Sequence, residues 1–262
     1  MSVLNLTLKS LSILRGNAAT FAGLTAPIFA LYAVIQAVAA YQLTGLTPNL
    51  IGQANTPHLT TSGIVTMYAA MLISLIVSAL IAIRVHRYVL KEDTSFAHAT
   101  APSIYGNYLL QGLVLGLALI GMMIVVMLPL GIAFGIMGAA SDGDGAGTPP
   151  LLVWALIIAI GVVVMVLFLR MALVLPAAAI GEKMPLRGSF RASRGQSAAI
   201  FVALLANWMS AAALGQIVGH VLPFPLLGWL AQMLVAWPFM VWGAVTLTTL
   251  YGHCVEGRSL NA

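Results

Sequence analysis

The sequence predicts an all-α polytopic membrane protein: six transmembrane helices as three hairpins, with short cytoplasmic interfacial helices. Three observations predict it. First, charged residues make up 6% of the 262-residue chain and hydrophobic residues 61%, whereas a soluble domain carries roughly 25% charged residues. A chain this poor in charge cannot cover a water-facing surface, and its mean hydropathy of +1.04 agrees. Second, long apolar runs recur, each able to supply the ~20 residues that one span needs. Third, all eleven Lys and Arg fall on one side of a six-span reading: Lys9 and Arg15; Arg84, Arg87 and Lys91; Arg170, Lys183, Arg187, Arg191 and Arg194; and Arg258. Cytoplasmic loops collect Lys and Arg because positive charge resists translocation. Both chain ends are therefore expected in the cytoplasm.

The elements follow in order, within a single transmembrane domain. Span one covers about 21–43, with Pro27 in its first turns. The loop Thr44–Ser62 is polar and free of Lys and Arg, and so reads as outside. Span two covers about 63–83 and ends in Arg84-Val85-His86-Arg87; an inside loop over Tyr88–Gly106 then offers a helix start at Asp93 or Thr94. Span three, about 107–139, would reach ~50 Å at ~1.5 Å per residue, against a hydrocarbon core of ~30 Å. It must tilt, protrude or kink, and Pro129 is the natural kink point. The outside loop Ser141–Pro150 leads to span four at about 151–180, with Arg170 inside it. Spans five (197–221) and six (226–250) are joined by a tight turn at Pro223-Phe224-Pro225.

Arg15-Gly16-Asn17, Tyr105-Gly106-Asn107 and Arg194-Gly195-Gln196 each precede an odd-numbered span, their glycines 90 and 89 residues apart. This spacing divides the chain into three pseudo-repeats, 1–87, 88–182 and 183–262, each an interfacial helix followed by a hairpin. The glycine would cap the interfacial helix at positive φ, and the amide would cap the next one. Such turns are also common singly.

The best interfacial segment is Pro185–Gly195. Arg187, Arg191 and Arg194 recur at i, i+4 and i+7 and share one helical face. They are the candidate lipid headgroup-binding residues, each worth ~1 kcal/mol near an anionic surface. A plain topology-fixing loop would carry the same charges. Arg170 is the cation well inside an apolar run. It is either an anchor that snorkels to the interface or a buried group bonded to carbonyls or polar side chains of other spans. Asn207 and Gln216 are the other intramembrane polar candidates. They lie nine residues apart in span five and so point to opposite sides of a straight helix. With Gln36, Gln111, Gln232 and His220, they suit helix–helix glue or, as the sharper reading, a substrate path.

Gly112-x-x-x-Gly116 and Gly131-x-x-x-Gly135 permit close helix packing. Asp142-Gly143-Asp144-Gly145 lacks the remaining ligands of a Ca²⁺ loop. Trp208, Trp229 and Trp242 suit either an interface or packing. Cys254 is the sole cysteine, which excludes an intrachain disulfide or a Cys-based metal site. The first apolar run is longer than a signal-peptide core of about 7–15 residues and reads as a retained span. The net charge of +5 hugs helix ends and needs no nucleic acid to explain it. No phosphate loop, HExxH, GxSxG or carboxylate pair within a span is present. No catalytic, metal or cofactor site is expected, and an enzyme is not the reading.

The stretch from Arg170 to Phe201 holds Arg170, Leu175-Pro176-Ala177, Glu182, Ser189, Arg191, Ser193 and Arg194-Gly195. It resembles a segment of bacterial multi-span proteins of the glycerophosphoryl diester phosphodiesterase membrane-domain group and the related YciC-type inner-membrane proteins. The resemblance rests on about 32 residues; the remainder matches in layout. It implies a multi-pass protein of the bacterial inner membrane with no firmly assigned activity. The phosphodiesterase activity belongs to a catalytic domain fused in some relatives, for which this chain has no room.

The functional expectation is a non-catalytic scaffold, accessory or lipid-interacting subunit, with membrane lipids and other membrane proteins as partners. The alternative is a transporter or permease component for an apolar or lipid-like substrate. A polar cavity reaching Asn207, Gln216 or Arg170 would favour the alternative.

Overall fold

A computed structural model describes residues 3–44, 61–140, 151–222 and 225–260, which form ten α-helices and no strand among the described residues. The order is α1 (Val3–Gly16), α2 (Ala18–Thr44), α3 (Thr61–Lys91), α4 (Phe96–Thr100), α5 (Pro102–Ala140), α6 (Leu151–Met171), α7 (Val174–Ala179), α8 (Leu186–Ala192), α9 (Ser197–Val221) and α10 (Pro225–Cys254). Six segments are long and apolar enough to cross a membrane: Ala18–Val38, Ile64–Lys91, Pro102–Ile132, Ala155–Ala179, Ser197–Val221 and Leu230–Cys254. Successive long helices pair as α2/α3, α5/α6 and α9/α10. The expected hairpin loops within 45–60 and 141–150, including Asp142–Gly145, lie outside the described residues, as do Pro223, Phe224 and the side chain of Trp229.

The buried core sits towards one end. Leu6 of α1, Leu90 of α3, Leu173, Ala177 of α7, Ile200 of α9 and Tyr251 of α10 form one cluster. Ile83, Ala99, Tyr108 and Ala179 form a second, and Phe21, Val85, Val241 and Val245 a third. The cations gather at this same end. Lys91 Nζ donates to the Ile180 carbonyl at 3.0 Å, Arg258 Nη2 to the Leu90 carbonyl at 2.9 Å, and Arg170 Nη2 to the Phe190 carbonyl at 2.6 Å. The 84–91 and 183–194 groups thus share an end. α10 is the most enclosed span, with 39% of its apolar window buried, and α5 the least, with 6%. A helix whose outward face is lipid needs no polar cover, so the large exposed residues of α5 fit this solvent.

Three expectations change. Span four is not one helix to residue 180. α6 stops at Met171, two turn residues follow, and α7 resumes at Val174. Pro176 supplies the reason, because it has no N–H for the Ala172 carbonyl four residues back and its ring crowds that group. The Leu175 N–H takes that carbonyl instead, at 3.0 Å. α7 is nearly all core (Ala177 and Ala179 are fully buried), and it packs on α3, α5 and α10. It ends at Gly181, φ 85°. The Glu182 N–H reaches the Ala177 carbonyl at 2.9 Å and the Gly181 N–H that of Ala178 at 3.1 Å, the double bond of a Schellman cap.

Second, α3 runs two turns past the expected boundary to Lys91, and α5 begins at Pro102, so the first inside loop is mostly helical. Third, a short helix does precede each hairpin, but the proposed caps hold unevenly. Gly195 has φ 79° after α8. Gly106 lies inside α5, and Asn17 Nδ2 donates back to the Ile13 carbonyl at 3.0 Å. Gln196 makes no side-chain cap to α9. α1 packs on the bundle through one side only: Leu6 and Ser10 are fully buried and the Trp242 indole donates to Ser10 Oγ at 2.9 Å, while Leu4 and Leu8 face outward.

Candidate functional site

Most cations near the core are consumed by the protein itself. Arg84 reaches from α3 to the Leu24 carbonyl of α2 at 2.8 Å and lies over the Phe96 ring. Arg87 is 9% exposed at its side chain, pairs with Asp93, and donates through Nη1 to the Ala179 carbonyl at 3.1 Å. Lys91 takes the next carbonyl. Both cations thus face the C-terminus of α7, where unpaired carbonyls favour positive charge. Burial pushes the Asp93 carboxyl up. The Ser95 N–H, Arg87 and His98 outweigh it and hold the group down at about 2. Below them His86 is buried, its Nδ1 2.6 Å from Thr248 Oγ1. The Thr248 proton goes to the Ala244 carbonyl, so Nδ1 is the donor and Nε2 faces the Tyr108 hydroxyl at 3.5 Å. Sequence reasoning missed this network because its partners lie up to 162 residues apart.

A different arrangement surrounds α8. Its N-cap is Pro185, and after Ala192 the chain turns through Ser193, Arg194 and Gly195. The single helix expected over 185–195 therefore ends early. Even so, Arg187, Arg191 and Arg194 line one open cavity of about 560 Å³ together with Arg170, Met171, Leu186 and Phe190. The Gly188 N–H donates to the Pro185 carbonyl at 2.8 Å and closes the first turn. Arg170 is the strut. Its guanidinium stacks over the Phe190 ring at 3.6 Å. Nε donates to Ser193 Oγ at 3.2 Å and Nη2 to the Phe190 carbonyl at 2.6 Å. In return Ser189 Oγ donates to the Arg170 carbonyl at 2.6 Å. Its partners are carbonyl and hydroxyl groups, but from α8 and the following turn, not from another span.

Arg187, Arg191 and Arg194 are exposed and, among the described residues, bind no acceptor. No carboxylate lines the cavity. The nearest acidic residue in sequence, Glu182, accepts the Tyr251 hydroxyl at 2.7 Å. The cavity wall itself is nearly all carbon, from the arginine stems with Met171, Leu186 and Phe190; the three free guanidiniums stand exposed beside it, each a planar fork that matches phosphate or carboxylate oxygens. The volume lies within the range of small-ligand sites, about 300–1,000 Å³.

The remaining candidates are not brought together. Asn207 is buried between α9 and α10, where Nδ2 donates to the Phe239 carbonyl at 3.2 Å, beside Gly243, while Oδ1 has no partner. Gln216 is exposed on the other side of α9, as the nine-residue spacing requires, and its carbonyl takes His220 Nδ1 at 2.8 Å. Gln36 Nε2 bridges to Ser74 Oγ at 2.7 Å, gluing α2 to α3. Gln232 lies against Gly219. Trp208 is exposed and Trp242 buried. Gly112 and Gly116 line an apolar groove between α3 and α5. Among the described residues no group of three or more His, Cys, Asp or Glu is placed to hold a metal ion. Compared with protein-family models, curated proteins and solved structures, the chain matches none of them.

Proposed function

We propose that this integral membrane protein is a non-catalytic scaffold or accessory subunit of the bacterial inner membrane that binds anionic lipid headgroups at its cation-rich end. That end faces the cytoplasm, by the distribution of Lys and Arg. One observation carries the reading: Arg187, Arg191 and Arg194 line a single cavity and have no acceptor among the described residues. The residues behind the resemblance to the phosphodiesterase membrane-domain and YciC-type group support it. Leu175-Pro176-Ala177 builds the buried α7, the buried Ser189 and Ser193 tie down Arg170, and Arg191 and Arg194 line the cavity beside it. The separate placements of Asn207, Gln216 and Arg170 favour this reading over a permease.

The test replaces Arg187, Arg191 and Arg194 together with Gln in the full chain, reconstituted in lipid nanodiscs. At ~1 kcal/mol per cation, retention of anionic lipid should fall on the order of 100-fold, with thermal stability kept. Unchanged retention in a folded variant refutes the reading.

A further inference from the structure

We infer that the four-arginine pocket is the head of a longer site, whose ligand is a lipid ending in a phosphate group with two or more negative charges. The inference rests on the headgroup reading above and narrows it in two ways.

The first is charge. A bridging phosphodiester carries one negative charge, and one bidentate guanidinium can satisfy its two free oxygens. Here three arginines with unpartnered guanidiniums and a fourth, half-used one border one apolar-walled cavity with no carboxylate among its lining residues. A singly charged headgroup would leave most of that repulsion standing. A terminal phosphate carries about −1.5 to −2 at neutral pH and has three strong acceptor oxygens, enough for all three free arginines.

The second is the path of the ligand's tail. Met171 lines the arginine cavity, while Leu167, Val164 and Ile160 line an apolar cleft of about 840 Å³ between α5 and α6. These residues recur at steps of three and four, so they lie along one side of α6. From Ile160 to Met171 this ladder is ~16 Å long at ~1.5 Å per residue, about half the ~30 Å hydrocarbon core. The opposite wall is α5, through residues such as Val126 and Pro129. A headgroup seated against Arg170 would enter the membrane beside Met171 and lay its chain into this cleft. Leu186, Met171 and Phe190 give the arginine cavity its apolar wall.

The experiment uses the full chain in nanodiscs of zwitterionic lipid doped with either phosphatidic acid or phosphatidylglycerol at equal total headgroup charge, with bound lipid counted by native mass spectrometry. One extra pairing of charge predicts a preference for phosphatidic acid of about fivefold. Val163→Phe and, independently, Val126→Phe fill the cleft. Each should reduce phosphatidic acid binding severalfold while leaving the thermal midpoint in place. Inorganic pyrophosphate carries at least as much charge without a tail and should compete only weakly. Equal binding of the two lipids, both lost in the triple Gln variant, overturns the charge inference and leaves the headgroup reading intact. Full competition by pyrophosphate, or no effect of either cleft variant, overturns the tail. Binding indifferent to the three arginines overturns both readings together.

Discussion

The ion pair between Arg87 and Asp93 anchors α3, the 92–95 turn and α7 at once, and its loss should be expensive. Arg87→Leu removes two interactions, the pair itself and the bond to the Ala179 carbonyl. The Asp93 carboxyl is held at about 2 instead of 3.8, a difference worth ~2.4 kcal/mol; the Ser95 N–H and His98 share it and the carboxylate remains 17% open to water, so the part owed to Arg87 is ~1.5 kcal/mol. The charged bond to Ala179 adds ~1.5 kcal/mol. Together they predict a loss of ~3 kcal/mol, at the low end of the ~3–5 kcal/mol for breaking a buried pair. Asp93→Asn should cost ~2 kcal/mol on the same basis, and the double variant should cost less than the two summed by ~1.5 kcal/mol. The pH dependence has a definite sign. A carboxyl depressed in the folded state stabilises above its unfolded value of 3.8 and loses that contribution as the pH falls towards 2. In Arg87→Leu the acid-induced loss should move up towards pH 3.8. Thermal unfolding in detergent across this range measures both effects. Additive single costs together with an unshifted acid profile would refute the account of the cation-rich end.

Further outcomes are expected elsewhere. Asn207→Leu exchanges one hydrogen bond, and a buried oxygen without a partner, for apolar packing. Intramembrane bonds of this kind are worth ~0.6 kcal/mol, so the change should be nearly neutral in thermal stability; a drop above ~2 kcal/mol would mean Oδ1 has an essential role. Gly195→Ala forces a side chain onto φ 79° and should cost ~1–2 kcal/mol, read as a lower melting point, while Gly106→Ala inside α5 should stabilise slightly. Reporter fusions at Asn55 and Gly145 should report the periplasm and one at Ser95 the cytoplasm; a cytoplasmic signal at Asn55 reverses the orientation.

The long helices were legible because lipid leaves a chain few options. A run of apolar residues near span length has to satisfy its backbone internally, and helices do so. That Asn207 and Gln216 sit on opposite sides of α9 followed from periodicity alone; which of them faces inward did not. What stayed hidden was whatever required a partner to be known. The apolar run through Ala172–Ile180 reads as span whether or not the helix breaks, so α7 was invisible to hydropathy even with Pro176 in view. Arg84, Arg87 and Lys91 look like Arg187, Arg191 and Arg194: two basic clusters with near-helical spacing at helix ends. One is spent on the carbonyls of α2 and α7, and the other faces outward. Sequence gives the charges, but only packing tells which of them are already bonded.

That difference separates topology from recognition. Threading a chain requires only that cations stay on one side; their angular position around the bundle is immaterial. Carbonyl-bound cations such as Arg87 and Lys91 meet that requirement while stitching helices together. Topology alone gives no reason to place Arg187, Arg191 and Arg194 around one cavity, or to brace it with an Arg170 tied down by Ser193, Phe190 and Ser189. Nor does it explain why Glu182, five residues before Arg187, is engaged by Tyr251. Clustered like charges repel, and a nearby carboxylate would have offset that cheaply. The fold instead leaves these guanidiniums without a protein counter-ion, which is what the proposed lipid site requires.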